Sequence, residues 1–156
     1  MRKLSTNLEY MVKIPTPEEM FQLGQSIGAT LHAGDLLLLN GDLGAGKTLL
    51  TQGIASALGI TGVTSPTFVI SRVHQGPLPL IHVDAYRLLI TENPNLYLDD
   101  LDLDTQRESA VTVVEWGGKE SARLSEERLE IHIDRTNDER LVSFTKFGPR
   151  WESFSL

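Results

Sequence analysis

Cysteine is absent from the 156 residues, which excludes disulfides and thiolate zinc sites and suits a reducing compartment. Long apolar runs are missing too, and nothing approaches the 18 or so residues of a membrane-spanning helix. The N-terminus opens on Arg2 and Lys3 but has no apolar core of the signal-peptide kind, so the expected location is the cytoplasm. Positive charge is scarce: 14 Lys and Arg stand against 21 Asp and Glu, for a net charge of −7. Binding nucleic acid through phosphate contacts needs a basic patch. The densest basic stretch here is scattered arginines near residues 123 to 150, interleaved with acids. A role on RNA is therefore expected only through a partner. The four histidines, His32, His74, His82 and His132, show no H-x-x-x-H pairing and read as ordinary core-edge or surface residues. There is no repeat, low-complexity segment or linker. With 40% hydrophobic and 22% charged residues, the chain reads as one globular domain over residues 1–156.

What is present centres on "NGDLGAGKTLLTQ", residues 40 to 52. Gly41, Gly46, Lys47 and Thr48 spell G-x-x-x-x-G-K-[ST], the phosphate-binding P-loop. At ordinary residue usage a chain this long matches by accident only about once in 200, so the match carries weight. Its context agrees. "DLLLL" (35–39) is a continuous apolar run, as expected of a strand buried on both faces. Downstream, Leu50, Ile54, Ala57 and Leu58 recur at helical spacing, and Gly59 is placed to end the helix.

In such a loop the backbone N–H groups converge on a concavity, and the helix N-terminus adds partial positive charge. Leu43, Gly44, Ala45, Gly46, Lys47, Thr48 and Leu49 are the expected nucleotide-binding residues. Lys47 is expected to reach the β- and γ-phosphates, and the Thr48 hydroxyl to bind Mg²⁺. Leu49 stands where many P-loop proteins carry a second hydroxyl, so only its backbone N–H can serve the phosphates.

Around this unit, alternation over residues 8 to 14 predicts an edge strand. Thr16, Pro17 and Glu19 then read as N-cap, first helical position and capping-box glutamate. Met20, Leu23, Ile27 and Leu31 give the following helix one apolar face. Two β-rich runs, 67 to 73 and 80 to 84, flank a Gly-Pro turn and predict a hairpin. Residues 91 to 109 are acidic and irregular, with one short helix around 96 to 103. "AVTVVEW" (110–116) reads as an inner strand, and "ERLEIHID" with "RLVSFTKFG" as a second hairpin across "RTNDE". The expected fold is α/β: a P-loop NTPase-like three-layer sandwich with a mixed, mostly parallel central sheet and antiparallel hairpins at its edges.

Hydrolysis needs a further carboxylate at the C-terminal end of a neighbouring strand to hold Mg²⁺. Asp84, ending "PLIHVD", and Glu115, ending "AVTVVE", both fit, because an acid ending an apolar strand is costly without a cation. The plain structural alternatives are a helix cap for Asp84 and an ion pair for Glu115. Glu115 has two chemical roles open to it, holding Mg²⁺ through water or orienting the attacking water. In "TSPTF" (64–68), Pro66 restricts Ser65 to extended conformations. Thr67 is then either a catalytic switch contacting the γ-phosphate or Mg²⁺, or a turn threonine ahead of a core Phe68.

"GDLGAGKT" (41–48), "SPTF" (65–68), "HVDAYRL" (82–88) and "VEW" (114–116) together resemble the TsaE (YjeE) family. These are bacterial P-loop ATPases needed for threonylcarbamoyladenosine at position 37 of tRNA. Order and spacing agree from about residue 8 to 134. The resemblance implies ATP at Lys47 and Thr48, with Thr48, Asp84 and Glu115 around Mg²⁺. It implies a switch role for Ser65 and Thr67, and functional importance for Tyr86, Arg87 and Trp116. It also implies a TsaB–TsaD partner pair, through which tRNA is met only indirectly, and no membrane. The chain departs from the family at Leu49, where a second threonine is usual, and in 91–104, which lacks a common glycine.

Asp84 is followed by "AYR", and no N-K-x-D occurs anywhere, so ATP is favoured over GTP. Arg87 is the one well-placed arginine for phosphoryl transfer, acting in cis or facing a partner, so the lone chain is expected to be a slow, partner-stimulated ATPase. Two other readings share the P-loop: a small-molecule kinase, which normally needs an arginine-rich lid, and a non-catalytic ATP-dependent interaction module.

Overall fold

Thr16 opens the first helix as its sequence predicts. Its backbone is extended and its hydroxyl accepts from the Glu19 N–H at 3.2 Å, with Pro17 in the first helical turn. The computed structural model describes residues 9–42, 44–63, 71–84, 107–115, 126–135 and 138–156. In chain order the regular elements are β1 (Glu9–Ile14), α1 (Pro17–Gly28), β2 (Leu36–Gly41), α2 (Lys47–Ala57), β3 (Ser71–His74), β4 (Leu80–Asp84), β5 (Val111–Glu115), β6 (Arg128–Asp134) and β7 (Arg140–Phe147). The helix expected around 96–103 lies outside the described residues.

The strands form one seven-stranded sheet in the order β1-β7-β6-β2-β5-β4-β3. The inner four, β6, β2, β5 and β4, run parallel. The β6–β7 hairpin, extended by β1, closes one edge, and the β3–β4 hairpin closes the other. The mixed sheet with antiparallel edges is therefore as expected; β3 is described from Ser71 to His74, and residues 67–70 of the expected run lie outside the described residues.

Burial explains the two kinds of strand pattern. Leu37, Leu39, Val111, Val113, Leu129 and Ile131 meet Met20, Leu23 and Ile27 of α1 and Leu50 and Ile54 of α2 in one core. Leu36, Leu38, Ile81, Val83 and Val114, of the opposite parity, are buried as well. Strands covered on both faces read as continuous apolar runs. β6 and β7, nearer the edge, alternate instead. Among the described residues no helix is long and apolar enough to cross a membrane.

α1 and α2 cross closely because glycines face each other. A Cβ on Gly53 would lie 2.1 Å from the Phe21 carbonyl oxygen, and one on Gly24 would lie 2.3 Å from that of Leu50. This approach turns Leu50, Thr51, Gly53, Ile54 and Ala55 inward, leaving Ala57, expected on the buried face, exposed. Alanine normally stabilises a helix over glycine by ~1 kcal/mol. Here the obstructing atoms are backbone and cannot rotate away, so overpacking of about 1–3 kcal/mol outweighs that gain. Gly53→Ala is therefore expected to lower the urea midpoint with an unchanged slope. A raised midpoint would show that the helices separate at little cost.

The C-terminal segment is anchored by contacts that no local pattern announces. Trp151 and Phe154 are buried, and Arg150 grips both Asp35 oxygens at 2.8 Å and the Thr30 carbonyl at 2.9 Å.

Candidate functional site

Glycine is required in the loop leaving β2 for two separate reasons. Gly44 (φ +80°) and Gly46 (φ +117°) occupy the left-handed region that other residues rarely adopt. Gly41 lies so close to β6 that a Cβ would sit 2.8 Å from the Ile133 carbonyl oxygen. The loop closes with an Ala45 N–H to Asp42 carbonyl bond of 2.9 Å, and α2 begins at once. Gly46, its N-cap, supplies no side-chain cap, and the first turn holds no acid. The N-terminal N–H groups of any helix lack intrahelical acceptors and carry partial positive charge, so this end is suited to an external anion.

Lys47 adds the full charge. Its side chain is buried beneath the loop, and Nζ donates to the carbonyls of Gly41 at 2.6 Å and Asp42 at 3.1 Å. Thr48 is half-buried on the next position of α2. Leu49 packs partly against the core, which accounts for an apolar side chain there. Leu43 lies outside the described residues.

The parallel register assembles the carboxylates. β5 lies between β2 and β4, so Glu115 sits opposite Leu39 on one side and Asp84 on the other. All three positions are at the C-terminal edge of the sheet, where β2 feeds the glycine loop. Open α/β sheets bind ligands outside those strand ends. The Asp84 backbone is described and its side chain is not. Glu115 is 4% exposed, and its Oε2 is hydrogen-bonded to Nε2 of the fully buried His82. Among the described residues no three His, Asp or Glu side chains cluster around one point.

His82 corrects an expectation. It is not an ordinary core-edge histidine but the direct partner of a candidate catalytic carboxylate. The available signal was its place two residues before Asp84, since alternate strand residues share a face. His74 lies beside it, ring centroids 6.4 Å apart. Burial, then the neighbouring His82 and Arg72, push the His74 pKa below its usual value.

Beside the loop is a pocket of about 200 Å³, walled by the 14–17 corner, Met20, Gly44, Ala45, Gly46, Leu49, Asp138 and Arg140. Arg140 Nε donates to the Ala45 carbonyl at 3.3 Å. A Cβ on Gly44 would meet Arg135 Nη1 at 2.7 Å. Two arginines, one just after β6 and one at the start of β7, thus flank the glycine loop, whereas the sequence offered only Arg87. Arg140 and Ala45 are 95 positions apart, and no local pattern could have paired them. Ser65, Thr67, Tyr86, Arg87 and Trp116 lie outside the described residues.

Residues 14–142 match the family described as "Threonylcarbamoyl adenosine biosynthesis protein TsaE". A Streptomyces coelicolor protein named tRNA threonylcarbamoyladenosine biosynthesis protein TsaE is 50% identical over 142 residues, covering 85% of this chain and 93% of that one. A Bacillus subtilis protein of the same name is 44% identical over 140 residues, covering 87% of this chain and 85% of its own. The crystal structure of Bacillus subtilis YdiB is similar at a TM-score of 0.73 and 36% identity, covering 94% of this chain and 90% of that one.

Proposed function

The chain belongs to the TsaE family, and from that premise we propose that it is a Mg²⁺-dependent ATPase acting with TsaB and TsaD. Their joint product would be threonylcarbamoyladenosine at position 37 of tRNA, made in the cytoplasm. One observation carries the ATPase reading. A buried lysine lies beneath a glycine loop whose strand is flanked, in register, by a strand ending in Glu115.

Each part has a task. The loop N–H groups and the α2 N-terminus hold the α- and β-phosphates, and Lys47 exchanges its carbonyl partners for phosphate oxygens. The pocket beside Gly46 and Leu49 takes the adenine and ribose. Its apolar walls, Pro15, Pro17 and Met20, suit a flat ring, and the planar guanidinium of Arg140 can stack on it. The Thr48 hydroxyl and the Glu115 and Asp84 carboxylates are hard oxygen donors of the kind Mg²⁺ prefers alongside phosphates. When bound, the ion neutralises charge on the transferring phosphoryl group. Glu115, held by His82, orients the attacking water or the ion's water shell. Ser65 and Thr67 are the proposed switch, and Tyr86, Arg87 and Trp116 the proposed coupling to partners.

ATP turnover by this chain, alone and with purified TsaB and TsaD, tests the reading. We expect free phosphate to be released slowly by the lone chain and at least ~10-fold faster in the complex, as when a missing arginine or an unordered switch is supplied by docking. A phosphorylated metabolite would make the chain a kinase. ATP binding with no turnover in either setting would leave an interaction module.

A further inference from the structure

We propose that His82 is a positioning residue for Glu115, fixing the direction of that carboxylate through an Nε2–H hydrogen bond. The proposal rests on the reading of this chain as an ATPase that uses Glu115.

His82 and Glu115 lie on adjacent parallel strands, with His82 opposite Val113 and Asp84 opposite Glu115. The two side chains therefore project from the same face, one pleat apart. A glutamate has three side-chain torsions, and a carboxylate that must meet water or a cation at a set point needs them restrained. Oε2 is taken by the imidazole, which leaves Oε1 to act. The carboxylate can only accept, so Nε2 carries the proton.

The cost of this histidine argues that it has a purpose. It is fully buried, and among the described residues its Nδ1 has no hydrogen-bond partner. An unmet buried polar atom costs stability. Leu80 and Val113, which share its face of the sheet, are buried aliphatics, and an aliphatic residue at 82 would fill the same layer without that cost. What it would lose is the grip on Glu115.

The test uses two amides that differ in reach. Glutamine carries its amide nitrogen near the place of Nε2, whereas asparagine carries it near that of Nδ1 and falls short of Glu115. His82→Gln is expected to keep kcat within about threefold of the parent, and His82→Asn to lower it ~10-fold or more with KM for ATP little changed, as when only the chemical step is affected. Equal losses in both variants, or a change confined to KM, would overturn the proposal.

A readout without turnover accompanies it. Nitrogen-15 spectra of the imidazole are expected to show the His82 proton on Nε2, slow to exchange, and to lose that preference in Glu115→Ala. A proton on Nδ1, or no response to Glu115→Ala, would also overturn it. A wild-type chain that binds ATP and never hydrolyses it would overturn the ATPase reading instead, and the hydrogen bond would still be judged by these spectra.

Discussion

Lys47→Ala is expected to abolish productive ATP binding, with affinity falling ~100-fold or more and turnover ~10³-fold, the scale on which preorganised cations act in phosphoryl transfer. Lys47 is the buried cation under the loop, already directed at the Gly41 and Asp42 carbonyls. Swapping those carbonyls for phosphate oxygens needs little movement. Without the ammonium, the loop N–H groups face several negative oxygens with only partial charges. The two carbonyls also lose a buried donor, a cost of about 1–3 kcal/mol, so binding and folding must be read separately. A fluorescent-nucleotide titration measures the first. Melting with and without Mg²⁺-ATP measures both, because a ligand at 100 times its Kd stabilises the native state by about 2.7 kcal/mol. The parent should gain that increment and the folded variant should not. Unchanged affinity and turnover in a folded Lys47→Ala would sink the nucleotide assignment.

Glu115→Gln and Asp84→Asn are expected to lower turnover ~10²-fold or more each, the size of effect general-base and metal-ligand losses produce. Both changes are nearly isosteric. The new glutamine at 115 can still accept from His82, so the fold is expected to hold. The register sets these two acidic positions side by side, and like charges on neighbouring groups disfavour each other, so losing one charge is expected to cost no stability. Thermal stability without ligand should accordingly stay level or rise. Titrating Mg²⁺ into the slowed Glu115→Gln variant separates its two possible tasks. A raised Mg²⁺ requirement marks a metal ligand, and a lowered kcat at an unchanged requirement marks water orientation. Loss of stability with normal turnover would return both acids to purely structural roles.

The sequence by itself determined the local units of this protein. The glycine loop is legible because its glycines answer to backbone geometry within six residues, where Gly44 and Gly46 take positive φ. The start of α1 is legible because Thr16 and Pro17 act on their own neighbours. The inner strands are legible because burial on both faces leaves an unbroken apolar run. Asp84 and Glu115 could be singled out as acids ending such runs.

Only the tertiary structure decided which of these units meet. Parallel pairing of β5 with both β2 and β4 set Glu115 beside the strand that feeds the loop and within reach of His82, 33 positions away. Folding of β7 across the sheet brought Arg140 to Ala45, and the packed C-terminus brought Arg150 to Asp35. A sequence pattern records the period with which a segment is buried, which each residue carries locally. Pairing across strands depends on register and strand order, which are settled by the whole core packing at once, so a histidine that reads as ordinary in the chain becomes the partner of the Glu115 carboxylate in the fold.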